Sequence, residues 1–298
     1  MRIVLAVDHS SHSDEAVEFL LTQNFTLPLD IDLVSVIVPF PAVDMVGTGG
    51  MIPDVGAILS DEQNFIQERL GTIEAKLKSR CREIHCHVKI GSPAFEIAGL
   101  ARDVNADLVV LGAIGHSAIE RVLLGSVSDY VATHANCTAL VIRPHAEGKR
   151  TSVPKRILVA VGSDETDLRL LDQLTKFDLP KATQIDLVHV MQTLTFFHQD
   201  IVQRTSELWL QARETATQHL NVLENAIKKH GFRCEAAILE ESHIGEALTA
   251  YATEHDCGLV LAGDQQRGLL DRAMLGSTSR YLLRHLTSSV LIVRARDD

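Results

Sequence analysis

Short runs of consecutive apolar, often β-branched residues alternate along this chain with stretches whose apolar residues recur every three or four positions. In the first half the runs at 2–8, 31–38, 84–90, 107–112 and 138–143 predict strands, and the periodic stretches near 12–23, 60–80, 93–105 and 126–135 predict helices. Strands that are apolar on successive positions are those of a parallel sheet covered on both faces. Strict strand–helix alternation then implies right-handed crossovers and a doubly wound α/β sheet. The second half repeats the pattern, with strands predicted at 156–161, 184–191, 233–239, 257–262 and 288–293. Its long helix, about 201–230, carries Leu208, Leu220, Leu223 and Ile227 along one side. Lys228, Lys229 and His230 fall in the last turn of that helix and Gly231 stops it.

The halves are copies of one unit. Residues 2–8 read RIVLAVD and residues 156–162 read RILVAVG, an offset of 154. Residues 125–143 read GSVSDYVATHANCTALVIR and residues 276–294 read GSTSRYLLRHLTSSVLIVR, an offset of 151. A period this long is a duplicated domain rather than a solenoid repeat. The expected domains are residues 1–147 and 154–298, joined through a polar, basic stretch ending at Pro154. The apolar last strands, Ala139–Ile142 and Val290–Val293, are natural pairing edges, either within the chain as a pseudo-dimer or between chains.

Composition narrows the function classes. The net charge of −11 argues against non-specific binding to nucleic acid or to an anionic membrane, both of which need a basic surface. Five scattered cysteines do not make a disulfide framework and suit a reducing compartment. The amino-terminal apolar run is cut short by Asp8, unlike a signal peptide, and no apolar segment reaches the ~20 residues that cross a bilayer. The expectation is a cytoplasmic protein without nucleic-acid or membrane partners.

Candidate chemistry gathers where three predicted strands end. In an open α/β sheet, ligands bind beyond the carboxyl ends of the strands, near the point where strand order reverses. Asp8 follows the first strand, Val36 lies in the second, and the fourth runs into Gly112-Ala113-Ile114-Gly115-His116. Gly112 and Gly115 allow sharp turning and close approach of backbone to a ligand. A helix then opens at Gly125-Ser126-Val127-Ser128. Its unpaired first amides and its dipole favour an anion such as phosphate, with the Ser126 and Ser128 hydroxyls as further donors. Asp8 can accept from an exocyclic amine or a ribose hydroxyl.

The spacing Gly112-x2-Gly115-x9-Gly125-Ser126, with Val7-Asp8 early and the closing Leu140–Pro144 run LVIRP, resembles the signature of ATP-binding universal stress proteins. The resemblance covers nearly the whole chain, twice. It implies two tandem Rossmann-like domains of the adenine nucleotide alpha hydrolase-like kind, each a five-stranded parallel sheet of order 3-2-1-4-5 flanked by helices. It also implies that Asp8 and the Val36 backbone hold adenine and that Gly112 lies by the ribose. Gly115, His116, Gly125, Ser126, Val127 and Ser128 would line the phosphates of ATP, ADP or AMP, often with Mg²⁺ or Mn²⁺. The second copy departs from the signature: Gln266 replaces the second glycine and Gly162 stands where Asp8 stands. A side chain at Gln266 is expected to crowd the phosphate path or to conflict with glycine backbone angles, leaving no tight ATP site there.

Plainer readings stand beside these. Ser126 alone would be a helix N-cap, and Asp8 alone a cap of the following helix. His9 and His12, one turn apart, read as a polar helix start rather than a metal site. His85 and His87 share a strand face from which Cys86 points away, which breaks a simple zinc site. The proline- and glycine-rich stretch 39–59 is long enough to be a lid or a surface insertion. No catalytic constellation stands out; Arg121 is the nearest cation to the glycine elements. The function expected is stress-response or regulatory nucleotide binding with at most slow hydrolysis. The alternatives are a nucleotide hydrolase or adenylate-transferring enzyme, or a scaffold binding no nucleotide or a different small ligand.

Overall fold

The structure, a computed structural model, describes residues 1–39, 55–115, 124–144, 154–162, 166–193, 199–264 and 275–294. In the first domain the order is β1 (Arg2–Ala6), α1 (Ser11–Thr22), β2 (Asp30–Ile37), α2 (Val55–Leu77), β3 (Glu83–Ile90), α3 (Pro93–Asp103), β4 (Leu108–Gly112), α4 (Ser126–His134) and β5 (Thr138–Ile142). A single 3₁₀ turn, Lys78–Arg80, links α2 to β3. The second domain repeats it as β6 (Arg156–Val161), α5 (Thr166–Thr175), β7 (Gln184–Gln192), α6 (Gln199–Lys229), β8 (Arg233–Glu241), α7 (Ile244–Glu254), β9 (Leu259–Gly263), α8 (Ser277–His285) and β10 (Ser289–Val293).

All ten strands form one sheet of order β3-β2-β1-β4-β5-β10-β9-β6-β7-β8. Within each domain the pairing is parallel, and the strand order reverses between β1 and β4 and between β6 and β9. The domains meet at β5 and β10, which pair antiparallel with Leu140 opposite Leu291 and Val141 opposite Val290. The pairing of last strands therefore takes place inside one chain.

Alternation along each strand feeds two core layers. Ile3, Leu5, Val110 and Leu140 point to the side covered by α1, α2, α5 and α6, whose Leu20, Leu70, Leu174 and Leu223 meet them. Val4, Val109, Ala139 and Val141 point to the other side, covered by α3, α4, α7 and α8 through Ile97, Val131, Leu248 and Leu282. Each large aliphatic side chain so buried contributes about 1.5–3 kcal/mol, which is why consecutive apolar positions read as buried parallel strands. A second link joins the domains on the first side. Phe25 and Phe177 form an isolated antiparallel bridge, and the Phe177 ring packs on Phe25 and Phe19 with centroids 5.2 and 6.4 Å away.

Partly exposed arginines pair with buried aspartates at the amino ends of the strands in both copies. Arg2 Nε donates to Asp32 at 2.8 Å, and Arg156 Nε donates to Asp186 at 2.5 Å. Asp32 also meets His87 Nε2 at 2.8 Å. His87 is thus committed to a structural contact, while His85 is exposed beside Glu83. Among the described residues no group of three His, Cys, Asp or Glu is placed to hold a metal ion, and no helix is long and apolar enough to cross a membrane. The stretch 40–54, the join 145–153, Arg121 and Gln266 lie outside the described residues.

Candidate functional site

Beyond the carboxyl ends of β1 and β4 lies a cavity of about 360 Å³, within the size range of small-ligand pockets. Asp8, Val36, Gly112, Gly115, Gly125, Ser126, Val127 and Ser128 all line it. His116, the remaining candidate, lies outside the described residues. Val34, Val36, Pro93 and Ile97 make an apolar wall, and Asp8 with the start of α4 makes the polar part.

The Asp8 end is built by short-range hydrogen bonds. Asp8 Oδ1 accepts from the Ser10 amide at 2.9 Å and the Ser10 hydroxyl at 2.6 Å. Ser10, not Asp8, is the N-cap of α1: its hydroxyl oxygen accepts from the Ser13 amide at 3.1 Å. The Asp8 amide in turn donates to Ser13 Oγ at 3.0 Å. These bonds fix the Asp8 carboxylate at the strand end, and its Oδ2 faces Gly115.

The other end is the amino terminus of α4. Its N-cap is Gly125, with φ −76° and ψ 156°, and Ser126 is the first helical residue; the plain reading of Ser126 as the cap is therefore corrected. The Gly125 amide is taken by the Ala113 carbonyl at 2.8 Å, and the first helical turn closes from the Asp129 amide to Gly125 O at 2.9 Å. The amides of Ser126, Val127 and Ser128 precede that closure and belong to the turn whose N–H groups find no partner in the helix. The Ser128 hydroxyl donates to Gly112 O at 2.7 Å, tying α4 to the end of β4. Its donor is thus occupied within the protein, and its backbone amide is the group it offers to an anion.

The glycines divide by role. A Cβ on Gly112 would lie 2.6 Å from both the carbonyl carbon and oxygen of His12, so Gly112 is required by the packing of α1 on β4. Gly112 lines the cavity as well, so this packing demand stands beside the expected close approach of backbone to a ligand. A Cβ on Gly115 would lie 2.9 Å from Asp8 Oδ2, inside the cavity wall. Gly115 is not among the positive-φ glycines of the described chain, so its demand is steric and not conformational. His12 itself is half-buried beneath Gly112; burial and the nearby Arg143 hold its pKa below the usual histidine value. His9 turns away to pack on the Phe65 ring at 5.0 Å, so the two histidines do not converge.

The second domain has a cavity of about 480 Å³ at the equivalent place, lined by Gly162, Asp167, Val188, His189, Val190, Gly263 and the start of α8. The framework is retained: Ser279 Oγ donates to Gly263 O at 2.8 Å, as Ser128 does to Gly112. The acidic group has moved. Gly162 carries no carboxylate, and Asp167, at the position of Ser13, accepts from the Gly162 amide at 2.9 Å and pairs with His219 Nε2 at 2.8 Å. His189 Nδ1 meets Val161 O at 3.0 Å and therefore carries its proton there. Sequence reading missed this Asp167–His219 pair, because the partners sit on different helices with no spacing to mark them.

Comparison with known proteins agrees with the two-copy architecture. The sequence pattern of the universal stress protein family matches residues 1–143 and again residues 154–294. A universal stress protein of Methanocaldococcus jannaschii is 31% identical over 146 residues, covering 48% of this chain and 81% of that protein. One from Synechocystis is 27% identical over 152 residues, covering 48% of this chain and 97% of its own. In overall fold the chain is similar to the crystal structure of a universal stress protein from Archaeoglobus fulgidus DSM 4304, with a TM-score of 0.65 at 20% identity, covering 100% of this chain and 97% of that one. A putative universal stress protein of Pseudomonas aeruginosa gives a TM-score of 0.61 at 14% identity, covering 99% and 94%. With both halves matched in sequence and the whole chain matched in fold, this protein belongs to the universal stress protein family, as a tandem member carrying two copies of the domain.

Proposed function

We propose that the first domain binds an adenine nucleotide, ATP or a related ADP or AMP, and that the protein is a nucleotide-responsive stress or regulatory protein rather than an efficient enzyme. The observation that carries this reading is the convergence of the Asp8 carboxylate, an apolar wall and three α4 amides that precede the helix's own hydrogen-bond ladder on one cavity. A flat purine suits the wall of Val34, Val36 and Ile97; Asp8 suits a hydroxyl or amine donor; the α4 terminus suits phosphate. A divalent ion arriving with the nucleotide would take its oxygens from phosphate and water, with Asp8 the only carboxylate among the described lining residues. Phosphoryl transfer would need a cation at the terminal phosphate, and the sequence candidates for one, His116 and Arg121, lie outside the described residues. Release of ADP in steady multiple turnovers, lost in Asp8→Ala, would favour the enzymatic alternative instead.

In the second domain, loss of the carboxylate at Gly162 and of the glycine at Gln266 supports a site without tight ATP binding. Denaturing the purified chain and identifying the released small molecule tests both statements. Adenine nucleotide at about one per chain supports them. Calorimetry showing no heat with ATP, ADP or AMP would remove the reading.

A further inference from the structure

Two arginines cross the seam between the domains. Arg294 follows β10 and is buried; its Nη2 donates to Ala132 O at 2.8 Å and Thr133 O at 2.6 Å, and its Nη1 donates to Ala135 O. These carbonyls are the carboxyl end of α4, the helix whose other end opens on the first cavity. Arg143 follows β5 at the equivalent position and reaches the other way, donating to Leu283 O at the end of α8 and to Ser288 O at 3.2 Å. Each domain thus supplies the cationic cap of the other domain's ligand-facing helix. The exchange is not symmetric. Arg294 Nε is also held by the buried carboxylate of Asp264 at 3.1 Å, and Ala113 stands at the place of Asp264 in the first domain.

We infer that Arg294 is a positioning residue for the first cavity: a guanidinium from the second domain sets where the α4 amides stand, and so sets the affinity for phosphate about 13 Å away at the other end of the helix. The inference rests on the nucleotide reading of that cavity. α4 has nine residues, of which Ser128, Val131 and Ala132 are buried. Ser128 ties the amino end to Gly112, and Val131, Ala132 and the Tyr130–Phe95 contact seat the body of the helix, which leaves its last-turn carbonyls as the groups that still need donors. Three charge-assisted bonds to the terminal carbonyls of Ala132, Thr133 and Ala135 supply them and set the tilt of the helix, and the positive charge complements the negative end of the helix dipole. Hydrogen bonds to phosphate weaken steeply with distance and angle, so a small tilt of α4 removes them together. Asp264, directly after cavity-lining Gly263, aims the guanidinium, which places the second cavity's rim one residue from this brace.

The test is ATP titration calorimetry on the full chain and four variants. Arg294→Met should weaken ATP about 10-fold with the cavity lining intact, Arg294→Lys should recover part of the loss, and Asp264→Asn should lose about threefold. Arg143→Met removes an equally buried guanidinium that braces α8 instead, and should stay within about twofold of wild type. Wild-type affinity in a folded Arg294→Met, or an equal loss in Arg143→Met, overturns the inference. If Arg294→Met does not fold, Arg294→Lys and Asp264→Asn decide it: wild-type affinity in both overturns it. If the wild type itself binds no ATP, the nucleotide reading fails separately. The Ser126, Val127 and Ser128 amide chemical shifts of the ligand-free chain then judge the brace, with shifts unmoved in Asp264→Asn and Arg294→Lys counting against it.

Discussion

A side-chain carbon added to Gly115 would stand 2.9 Å from Asp8 Oδ2, so the two residues face each other across the floor of the first cavity. The second copy changes both together, to Gln266 and Gly162. Gly115→Gln is expected to abolish ATP binding, a loss of at least about 100-fold or about 2.7 kcal/mol, with little change in melting temperature. Calorimetry and thermal unfolding on one preparation check this; undiminished affinity would place the nucleotide elsewhere.

Gly112 should behave oppositely. Its added carbon meets the backbone of His12, which cannot yield without shifting α1. Gly112→Ala is expected to destabilise the fold by about 1–3 kcal/mol or more, as overpacking does. Gly125→Ala meets nothing closer than Ala113 O at 3.4 Å and should cost far less. Urea unfolding of the two variants side by side tests the ordering.

The Arg2–Asp32–His87 contact makes an acid-sensitive element. Burial pushes the Asp32 carboxyl upward, but the hydrogen bonds from Arg2 and His87 outweigh it and leave the pKa below the usual carboxylate range. A carboxylate depressed in the folded state contributes stability that is fully present above its unfolded pKa near 3.9 and is lost as pH falls through the folded value. The wild-type melting temperature should therefore drop more steeply below about pH 4 than that of Asp32→Asn. At neutral pH the variant should be less stable by about 2–4 kcal/mol. Parallel acid limbs in the two proteins would show that Asp32 carries no such linkage.

Buried thiols give an independent check of the core. Burial pushes Cys234 and Cys257 up to about 12, and Cys137 is only 4% exposed. At neutral pH these three should resist iodoacetamide in the folded protein and react in guanidinium, as read by peptide mass spectrometry. Rapid labelling of any of them without denaturant would contradict the packing.

Much of this architecture was legible in the residues. The predicted strands end within two residues of those observed; in the central strands burial on both faces leaves little choice of residue, whereas the edge strands β3 and β8 are largely exposed. β1 closes at Ala6 and not at Asp8, since Asp8 turns to bond Ser10 and Ser13. The motif spacing brought eight candidates to one cavity because strand ends and helix starts are fixed by the crossovers. What stayed hidden depended on distant contacts. The need for glycine at 112 comes from His12 on another element, the Asp167–His219 pair joins two helices, and the two arginines act on the opposite domain. None of these has a local period or spacing to betray it.

The β5–β10 seam has a consequence for how the two halves can change. Two separate copies meeting at a two-fold axis dissociate on dilution, and every substitution appears on both sides of the contact. Joined in one polypeptide, the halves keep a fixed local concentration, so their contact is independent of how much protein is present. The symmetry constraint is lifted as well. An aspartate can arise at 264 while alanine remains at 113, and one half can specialise while its twin still supplies the surface it folds against.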